Sequence, residues 1–455
     1  MKLRVMFMLV CTVGLTVQTW SDSHETSAPL PSVLSLEEAQ RIALSENPTL
    51  KAARDRVDQA AAILQQAMSE YLPSVTSSVT ASFTDISDND VVQGQALAMF
   101  SGGSFDDTIE NYDANITASY LLFDGFGRKF RRVLASLGTD RSEATRRETQ
   151  RLLLNAVALS YYNVQLSREN VRIAEADEAF NERQLNEAKA RFDVGQGSLS
   201  DKLNFEVRIR AAQTAVLVAD SGHDVAMIAL VQLMGVTRDR VSEDTDVAPL
   251  KMETDADLTL PDVNEGIAYS LVHRPDWLET QYIHEQTEAS VKLAKSTYFP
   301  SLFASASGDA RRGDNAYFEE DDISGTVAIQ GQYSIYLGGR RRAQLHESKA
   351  VERELSHVLE SQEIQITAEV LDAVRRLETA QRVLELQRET TSLVEQNRDL
   401  VEKEYNAGQG SLVRLNQAQR DLISQQASLA LARVSLHQNW VDLRTATAVI
   451  LEDVK

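Results

Sequence analysis

The pentapeptide GQGSL occurs twice in this chain of 455 residues, at Gly195–Leu199 and again at Gly408–Leu412. An aromatic residue, Phe192 in the first copy and Tyr405 in the second, stands three positions before the first glycine of each. Glycine adopts backbone conformations that other residues avoid, so two closely spaced glycines indicate a local break in regular structure. This break decides the fold, because it interrupts two long helical stretches in the same way.

Long helical stretches flank both pentapeptides. They contain no proline and almost no further glycine, and apolar residues recur in them at helical spacing. A single helix from Gly127 to Val194 would extend about 100 Å at about 1.5 Å per residue, far beyond an ordinary globular helix. Helices of this length are typical of coiled-coil packing. Each pentapeptide is therefore predicted to be the turn of a helical hairpin, with Ser198 or Ser411 capping the next helix.

The pentapeptides belong to a longer repeat. The segment EYLPSVTSSVTASF (70–83) resembles TYFPSLFASASG (297–308), and SYLLFDGFGRKFR (119–131) resembles QYSIYLGGRRRAQ (332–344). Because similar segments recur in the same order, the sequence predicts a tandem duplication. The predicted division of the chain is a signal peptide over 1–21, an N-terminal tail over 22–34, a first repeat over 35–240, a linker over 241–261, a second repeat over 262–450 and a C-terminal tail over 451–455.

The first residues resemble a secretory signal peptide. Lys2 and Arg4 precede the apolar stretch Val5–Val17, which is too short for a membrane-spanning helix. A buried N-terminal helix is the alternative. Cleavage after this stretch removes Cys11, the only cysteine, so the mature chain is expected to contain no disulfide or thiol site. No other segment resembles a transmembrane helix, so a membrane span of this chain would have to consist of strands.

Each predicted copy has the same order of elements. A helical stretch, Ser35–Glu70 or Val263–Thr297, ends at a proline and is followed by two alternating strands and then by the long hairpin. In the first strand, Ser74–Phe83, the odd positions are mostly apolar and the even positions all carry hydroxyl groups. The second strands are predicted at Asn115–Phe123 and Thr326–Tyr336.

Composition excludes several classes of function. The chain has 43% hydrophobic and 25% charged residues, which is typical of a folded protein. Its net charge of −21 disfavours nucleic acid as a partner, because nucleic acid is bound through Lys and Arg contacts to phosphate. The seven histidines are scattered, and no nucleotide-binding, hydrolase or zinc-protease motif occurs. The sequence therefore predicts no enzyme activity, no cofactor and no metal site.

The predicted strands are too few to close a membrane barrel within one chain. The smallest bacterial barrels have about eight strands, and open sheet edges cannot lie in lipid. If the strands cross a membrane, several chains must share one barrel, and three chains would supply about 12 strands. The alternative is an exposed soluble layer of strands.

The duplicated order of helix, two strands and long helical hairpin resembles the TolC-like family of outer-membrane efflux proteins. The resemblance rests on the Y-L/F-P-S motifs at 71–74 and 298–301, the F-D-G at 123–125 and the aromatic-x-x-Gly turns at 192–195 and 405–408. It implies a mainly α fold with a small transmembrane β part. The expected assembly is a homotrimer, whose 12-stranded β-barrel in the outer membrane is continued by a long periplasmic α-helical barrel.

The resemblance also implies a function. Such proteins are exit ducts of tripartite efflux pumps or type I secretion systems, and they work with a periplasmic adaptor and an inner-membrane transporter. A periplasmic adaptor is one alternative, but the lipoyl-like segments that normally flank its hairpin are missing. A structural coiled-coil envelope protein is another, although it would not need strands opened by proline at matching places.

The resemblance further implies the site residues, because the family meets its adaptor at the hairpin tips. It often carries acidic residues six and nine positions after the first glycine of the second tip, around the tunnel entrance. Here those positions hold Arg414 and Gln417, and the equivalent of Arg414 in the first tip is Asp201. An Asp201–Arg414 pair that holds the tip closed is one hypothesis, and two solvated charges are the alternative. The predicted docking residues are Gly195, Gln196, Gly197, Ser198, Leu199, Gly408, Gln409, Gly410, Ser411 and Leu412.

Two kinds of charge cluster flank the strands. Acidic residues crowd the loops Thr84–Asp113 and Asp314–Asp322, which are expected to be solvated or to bind divalent ions or lipopolysaccharide. Basic residues follow each second strand, and they are expected either to contact phosphate groups of outer-membrane lipid or to be ordinary helix-surface charge. These basic residues are Arg128, Lys129, Arg131, Arg132, Arg340, Arg341 and Arg342.

Overall fold

The chain divides into a long helical part and a sheet. The computed structural model describes residues 30–85, 87, 91, 108–237, 240, 242, 245–254, 258–313 and 316–452. The predicted signal peptide, most of the N-terminal tail, most of the first acidic loop and the last three residues lie outside the described residues.

Two series of four helices form the helical part of the described chain. In each series two shorter helices precede two long ones, so the same order of elements occurs twice. In chain order the helices are α1 (Leu36–Glu46), α2 (Pro48–Ser69), α3 (Gly127–Asp193), α4 (Leu199–Met234), α5 (Val263–His273), α6 (Pro275–Ser296), α7 (Arg340–Asn406) and α8 (Leu412–Ala446).

The single helical stretch predicted at the start of each copy is wrong, because a proline divides it. Pro48 and Pro275 each begin a second helix, at a position where the missing N–H is not needed. The residues before them, Asn47 and Arg274, are extended, as expected ahead of proline. Asn47 also caps α2, since its side chain accepts a hydrogen bond from the amide of Thr49 at 2.8 Å.

The long helices confirm the predicted hairpins. Helices α3 and α7 have 67 residues each, and α4 and α8 return alongside them with 36 and 35 residues. Helix α3 also packs against α2 and α6, and α6 packs against α7. The shorter helices therefore cover the parts of the long helices that the returning helices do not reach.

The strands form one large sheet and one small ladder. The large sheet is antiparallel with the order β2-β3-β5-β6, and a short parallel ladder pairs β1 with β4 and so ties the N-terminal segment to the linker. In chain order the strands are β1 (Val33–Leu34), β2 (Ser74–Asp85), β3 (Thr108–Phe123), β4 (Asp246–Val247), β5 (Ser301–Arg312) and β6 (Ile323–Gln332).

Two predicted strand boundaries are wrong. Strand β3 begins at Thr108 rather than at Asn115, because the residues ahead of Asn115 all pair with β2 and, from Tyr112 onward, with β5 as well. Strand β6 ends at Gln332 rather than at Tyr336, because its partner strand begins only at Ser301, which pairs with Gln332. The first acidic loop is therefore shorter than predicted, and the second strand of the second copy is displaced toward the loop.

Buried side chains form seams between helices rather than one central core. One cluster joins the N-terminal segment to the base of the first hairpin and includes Leu34, Val157 and Leu230. Another lies between α7 and α8 and includes Leu377 and Leu436. A third lies at the hairpin tips. The β2-β3-β5-β6 sheet extends beyond these seams, and strands β2 and β6 are almost fully exposed.

Helix α4 is more apolar than predicted. By length and composition alone it could cross a membrane, since its most apolar window of 18 residues has a mean hydropathy of 1.4. The expectation that no segment after the signal peptide resembles a transmembrane helix is therefore wrong. Only 17% of that window is buried within the chain, and Leu217, Val218, Val225 and Ile228 are 63–70% exposed. This surface has no cover within the described part of the chain.

Candidate functional site: hairpin tips and amphipathic sheet

Each pentapeptide ends a long helix with the same backbone turn. Gly195 and Gly408 lie in the left-handed region, with φ of 70° and 72°. The amide of Gly195 donates to the carbonyl of Phe192, and the amide of Gln196 donates to the carbonyl of Arg191, both at 2.9 Å. These two bonds are the Schellman motif, which satisfies the last carbonyl groups of α3. The same two bonds recur at the end of α7.

The second glycine of each tip is needed because the backbone passes close to the preceding helix. A Cβ atom at Gly197 would lie 2.7 Å from the backbone nitrogen of Phe192, and one at Gly410 would lie 2.9 Å from that of Tyr405. The first glycine of each tip has open space around it. The first glycine of each tip is therefore needed for its left-handed backbone conformation, and the second is needed because the backbone packs closely.

The predicted serine caps are confirmed. The Oγ atom of Ser198 accepts from the amide of Ser200 at 3.1 Å, and that of Ser411 accepts from the amide of Arg414 at 3.3 Å. Each serine satisfies an amide that the helix itself leaves free. Leu199, directly after the first cap, is 52% exposed, so the tip presents an apolar side chain beside small polar ones.

The structure brings the two tips of one chain together. Asn416 Nδ2 donates to Asn204 Oδ1 at 3.2 Å, and Arg191 Nη2 donates to Asn406 Oδ1 at 2.9 Å. The guanidinium of Arg191 also lies 5.5 Å from the ring centre of Tyr405. A buried cluster beneath these contacts contains Phe180, Leu185, Ala188, Phe205, Ile209, Val401, Leu415 and Ala418.

The predicted gate residues have other partners within the chain. Arg414 Nη1 lies 3.0 Å from Glu404 Oε2 of the same hairpin, and Gln417 Nε2 donates to Asp421 Oδ1 at 2.7 Å. No ion pair joins Asp201 to Arg414 within the described residues, so that pair stays a prediction for contacts between chains. Glu404 and Asp421 were missed from the sequence, although Asp421 lies one helical turn after Gln417.

Asp201 acts on the aromatic residue ahead of the second turn instead. Burial raises the pKa of the Tyr405 phenol, and the negative charge of Asp201 raises it further. The Tyr405 ring also packs edge-on against Phe205, with ring centres 6.5 Å apart. The aromatic residue that precedes the second turn thus places a neutral ring at the contact between the two tips.

The register of the large sheet separates apolar from polar side chains. Val75 pairs with Ala118, Ala118 with Ala306, and Ala306 with Val327, all on one face. Val327 is 85% exposed, so the chain does not cover this face. The polar face includes Asp113, Asn115, Thr117, Ser307, Asp309 and Arg311, linked by hydrogen bonds between Asn115 and Asp309 and between Arg311 and Asp113. Such a sheet is suited to lipid on one side and water on the other.

A buried carboxylate holds the linker between the two series. Glu253 has no exposed side-chain surface, accepts hydrogen bonds from Arg433 at 2.8 Å and from Arg388, and lies 3.9 Å from His437. Burial pushes the pKa of Glu253 up, but the hydrogen bond from Arg433 and both guanidinium charges place it below its ordinary value. No local sequence pattern indicates this anchor, because its partners lie 135 and 180 residues away.

The arrangement offers surfaces for binding and passage. Within the described ranges, no cluster of three or more His, Cys, Asp or Glu side chains could hold a metal ion. The tips present small and polar side chains on a rigid turn, and the sheet has one apolar and one polar face. These features suit protein docking and membrane insertion.

Comparison with known sequences gives a family match over most of the chain. The family described as outer membrane efflux protein matches residues 40–236 and 267–449. The chain is 26% identical over 421 residues to the pyoverdine export outer membrane protein OpmQ of Pseudomonas putida, covering 90% of this chain and 85% of the relative. It is 27% identical over 348 residues to the probable efflux pump outer membrane protein TtgC of the same species, covering 74% and 68%.

The fold also matches a solved structure. The outer membrane protein VceC of Vibrio cholerae is similar with a TM-score of 0.74 and 17% identity, covering 90% of this chain and 95% of the other. The alternatives of a periplasmic adaptor and a structural coiled-coil envelope protein are therefore wrong. The chain belongs to the outer membrane efflux protein family, and it is an outer-membrane protein that exports substrates.

Proposed function

We propose that three copies of this chain share one 12-stranded barrel, which continues as a periplasmic helical tunnel. The observation that carries the proposal is the β2-β3-β5-β6 sheet, which has a bare apolar face and unpaired outer edges on β2 and β6. Unpaired backbone groups are too costly in lipid to remain there. Pairing β6 of one chain with β2 of the next removes every edge when the ring closes.

The test is disulfide crosslinking between edges. The only cysteine, Cys11, lies in the predicted signal peptide, so introduced cysteines report without background. A cysteine at Thr76 in β2 is combined in turn with one at Ser324, Thr326 or Ala328 in β6. We expect linked dimers and trimers on denaturing gels, strongest for one register. Monomer alone in every combination would contradict a shared barrel.

The proposed tunnel is built from a tandem repeat whose copies are residues 35–240 and 262–450. Two series of helices and strands in the same order support this division, and the linker between them is anchored by Glu253. The exposed apolar surface of α4 supports packing against a neighbouring chain, because such a surface is otherwise costly in water. Substrate then moves passively along the tunnel.

The proposed partners are a periplasmic adaptor, an inner-membrane transporter and outer-membrane lipid. The sequence has no motif for nucleotide hydrolysis, so a partner supplies the energy. The residues proposed to dock the adaptor are those of the two pentapeptides. Their support is the open space around Gly195 and Gly408, which lets another helical tip approach closely.

A crosslinking experiment tests the docking surface. A photoreactive amino acid at Ser198 or Ser411 is irradiated in cells that contain the native pump components. We expect each to capture an adaptor, identified by mass spectrometry, in the same membrane fraction. A photoreactive residue at His357 on α7, which is exposed but far along the helix from the tip, serves as the control. Equal capture from His357 would refute docking at the tips.

A further inference from the structure

Both copies place an arginine between two tyrosines at the end of the sheet where the helices join it. The guanidinium of Arg128 lies 5.0 Å from the ring centre of Tyr71 and 5.9 Å from that of Tyr120. We call this group the first clamp. The second clamp consists of Arg341, which lies 5.9 Å from the ring of Tyr298 and 5.1 Å from that of Tyr333. Distances in this range give favourable cation–π contacts.

The first clamp has hydrogen-bond acceptors and an adjacent ion-pair network within the chain. Beside it, Arg131 forms ion pairs with Glu70 at 2.7 Å and with Asp124 at 3.0 Å. The guanidinium of Arg128 itself donates to the backbone carbonyls of Glu70 and Leu122. Arg128 and Arg131 at this end of α3 therefore have acceptors within the chain.

The second clamp lacks these acceptors. Thr297 stands where the first copy has Glu70, and Leu337 stands where it has Asp124. Arg340, Arg341 and Arg342 form no ion pair within the described part of the chain, and Nε of Arg341 is buried without a hydrogen-bond partner. All three begin α7, where the helix dipole disfavours cations. An external anion would satisfy a cluster of this kind.

The surroundings of the second clamp indicate which anion fits. Tyr333, Ile335 and Tyr336 follow the end of β6 and are 52%, 87% and 84% exposed. A surface groove at the start of α7 is lined by Gly339, Arg342, Ala343, His346 and Glu347. Cationic groups thus adjoin bare aliphatic and aromatic side chains. A molecule with a phosphate group and an apolar tail matches both halves, whereas a soluble phosphate matches only the cations.

We propose that Arg340, Arg341 and Arg342, together with Tyr298 and Tyr333, bind the headgroup phosphate of an anionic phospholipid at the periplasmic boundary of the membrane. The apolar tail lies along Ile335 and Tyr336. The inference rests on the proposed function, because it requires the strands to cross the outer membrane. It adds that the two copies differ, so that each chain has one such site rather than two.

Native mass spectrometry of the purified assembly tests the site. The protein is mixed with phosphatidylglycerol or phosphatidylcholine at equal concentration in detergent, and bound lipids are counted. We expect wild-type protein to prefer phosphatidylglycerol. The double variant Arg341→Gln/Arg342→Gln is expected to bind that lipid roughly tenfold more weakly, since each basic residue near an anionic headgroup contributes to binding. Excess inorganic phosphate is expected to leave the bound lipid in place.

The matched control changes the equivalent residues of the first copy, Arg128→Gln/Lys129→Gln. It is expected to retain the preference of the wild type. An equal loss in the control would show general charge attraction and overturn the proposal, as would complete displacement by inorganic phosphate. The same spectra measure assembly, so failure of the proposed trimer can be distinguished from failure of the lipid site. Wild-type protein that stays monomeric refutes the proposed function, whereas an intact assembly with no lipid preference refutes only this site.

Discussion

At the hairpin tips, the backbone turn and the serine caps could be predicted from the sequence, but the side-chain contacts could not. The turn and its caps could be predicted because they depend on residues within about six positions of one another. The ion pair of Arg414 with Glu404 could not, since Glu404 lies on the other helix of its hairpin. The positions of charged residues in a sequence do not show which of their side chains will face one another.

Substitution of the two glycines of one tip is expected to have unequal effects. Gly410→Ala forces the backbone apart at Tyr405, at a cost above about 1 kcal/mol. Gly408→Asn keeps the left-handed conformation, which asparagine tolerates. Hydrogen exchange of the peptide that spans the second tip is expected to speed up about tenfold in the alanine variant, since about 1.4 kcal/mol corresponds to a factor of ten. Equal exchange in both variants would contradict these separate tasks.

Breaking the Arg414–Glu404 pair is expected to change channel conductance more than stability. Arg414 is 62% exposed at its side chain, and exposed pairs contribute under about 1 kcal/mol. Arg414→Ala and Glu404→Gln break the same contact, so both are expected to raise single-channel conductance in planar bilayers with little change in melting temperature.

Asp201→Ala separates two versions of this gate. If Asp201 pairs with Arg414 of a neighbouring chain, its removal raises conductance as well. If only the pair within the chain matters, Asp201→Ala behaves like wild type. Unchanged conductance in all three variants would reject a gate at these residues.

Helices were predicted correctly where apolar residues recur at helical spacing over a long stretch. Element boundaries were predicted wrongly where pairing with another strand or helix decides them. The two 67-residue helices follow from unbroken helical spacing. The strand β3 extends over polar residues because Asp113 finds Arg311 on β5, 198 residues away. The attachment of the linker could not be predicted for the same reason. Among its described charged residues, only Glu253 forms ion pairs with α7 and α8.

The anchor at Glu253 is expected to make stability depend on pH. Its pKa in the folded chain lies below the ordinary value of about 4.3. The anchor therefore stabilises the protein fully above that value and is lost as pH falls through the folded-state pKa. Glu253→Gln is expected to cost about 2 kcal/mol at pH 7, less than a fully buried pair because Arg388 is partly exposed.

Thermal unfolding at pH 7 and in more acidic buffer measures this effect. The difference in melting temperature between wild type and Glu253→Gln is expected to shrink in acid. Glu360→Gln, which removes an exposed carboxylate on α7, is the control and is expected to match wild type at both pH values. A difference that is the same at both pH values would contradict the role of the carboxylate.

At the scale of the whole molecule, the fold class and the family could be predicted from the sequence, but the contacts between distant parts of the chain could not. The amphipathic strands are too few for one barrel, so the sequence predicts that several chains share a barrel, and this stays a prediction. The pairing of the two tips and the contrast between the two clamps depend on residues brought together across the repeat, so no local pattern shows them. The bare apolar surface of α4 was also missed, because its apolar residues are spread around the helix rather than confined to one face.

A charge on the bare surface of α4 is expected to prevent assembly. Val225 is 63% exposed in the single chain, and burying an unpaired carboxylate against a neighbouring helix is strongly unfavourable. Val225→Asp is therefore expected to shift the protein from the proposed trimer to monomer in size-exclusion chromatography with light scattering. Val225→Thr keeps the shape without a charge and is expected to remain trimeric. A trimeric Val225→Asp variant would place this surface outside the subunit contact.

The unpaired edges of the sheet have a genetic consequence. In the proposed ring every chain closes the edge of one neighbour and depends on the other, so one chain with a defective β6 leaves the whole ring open. When wild-type and defective chains are made in equal amounts, random mixing leaves only about one ring in eight free of defective chains, as expected for three subunits in a closed ring. A lesion confined to this edge is therefore expected to be dominant, even though a full dose of normal protein is still synthesised.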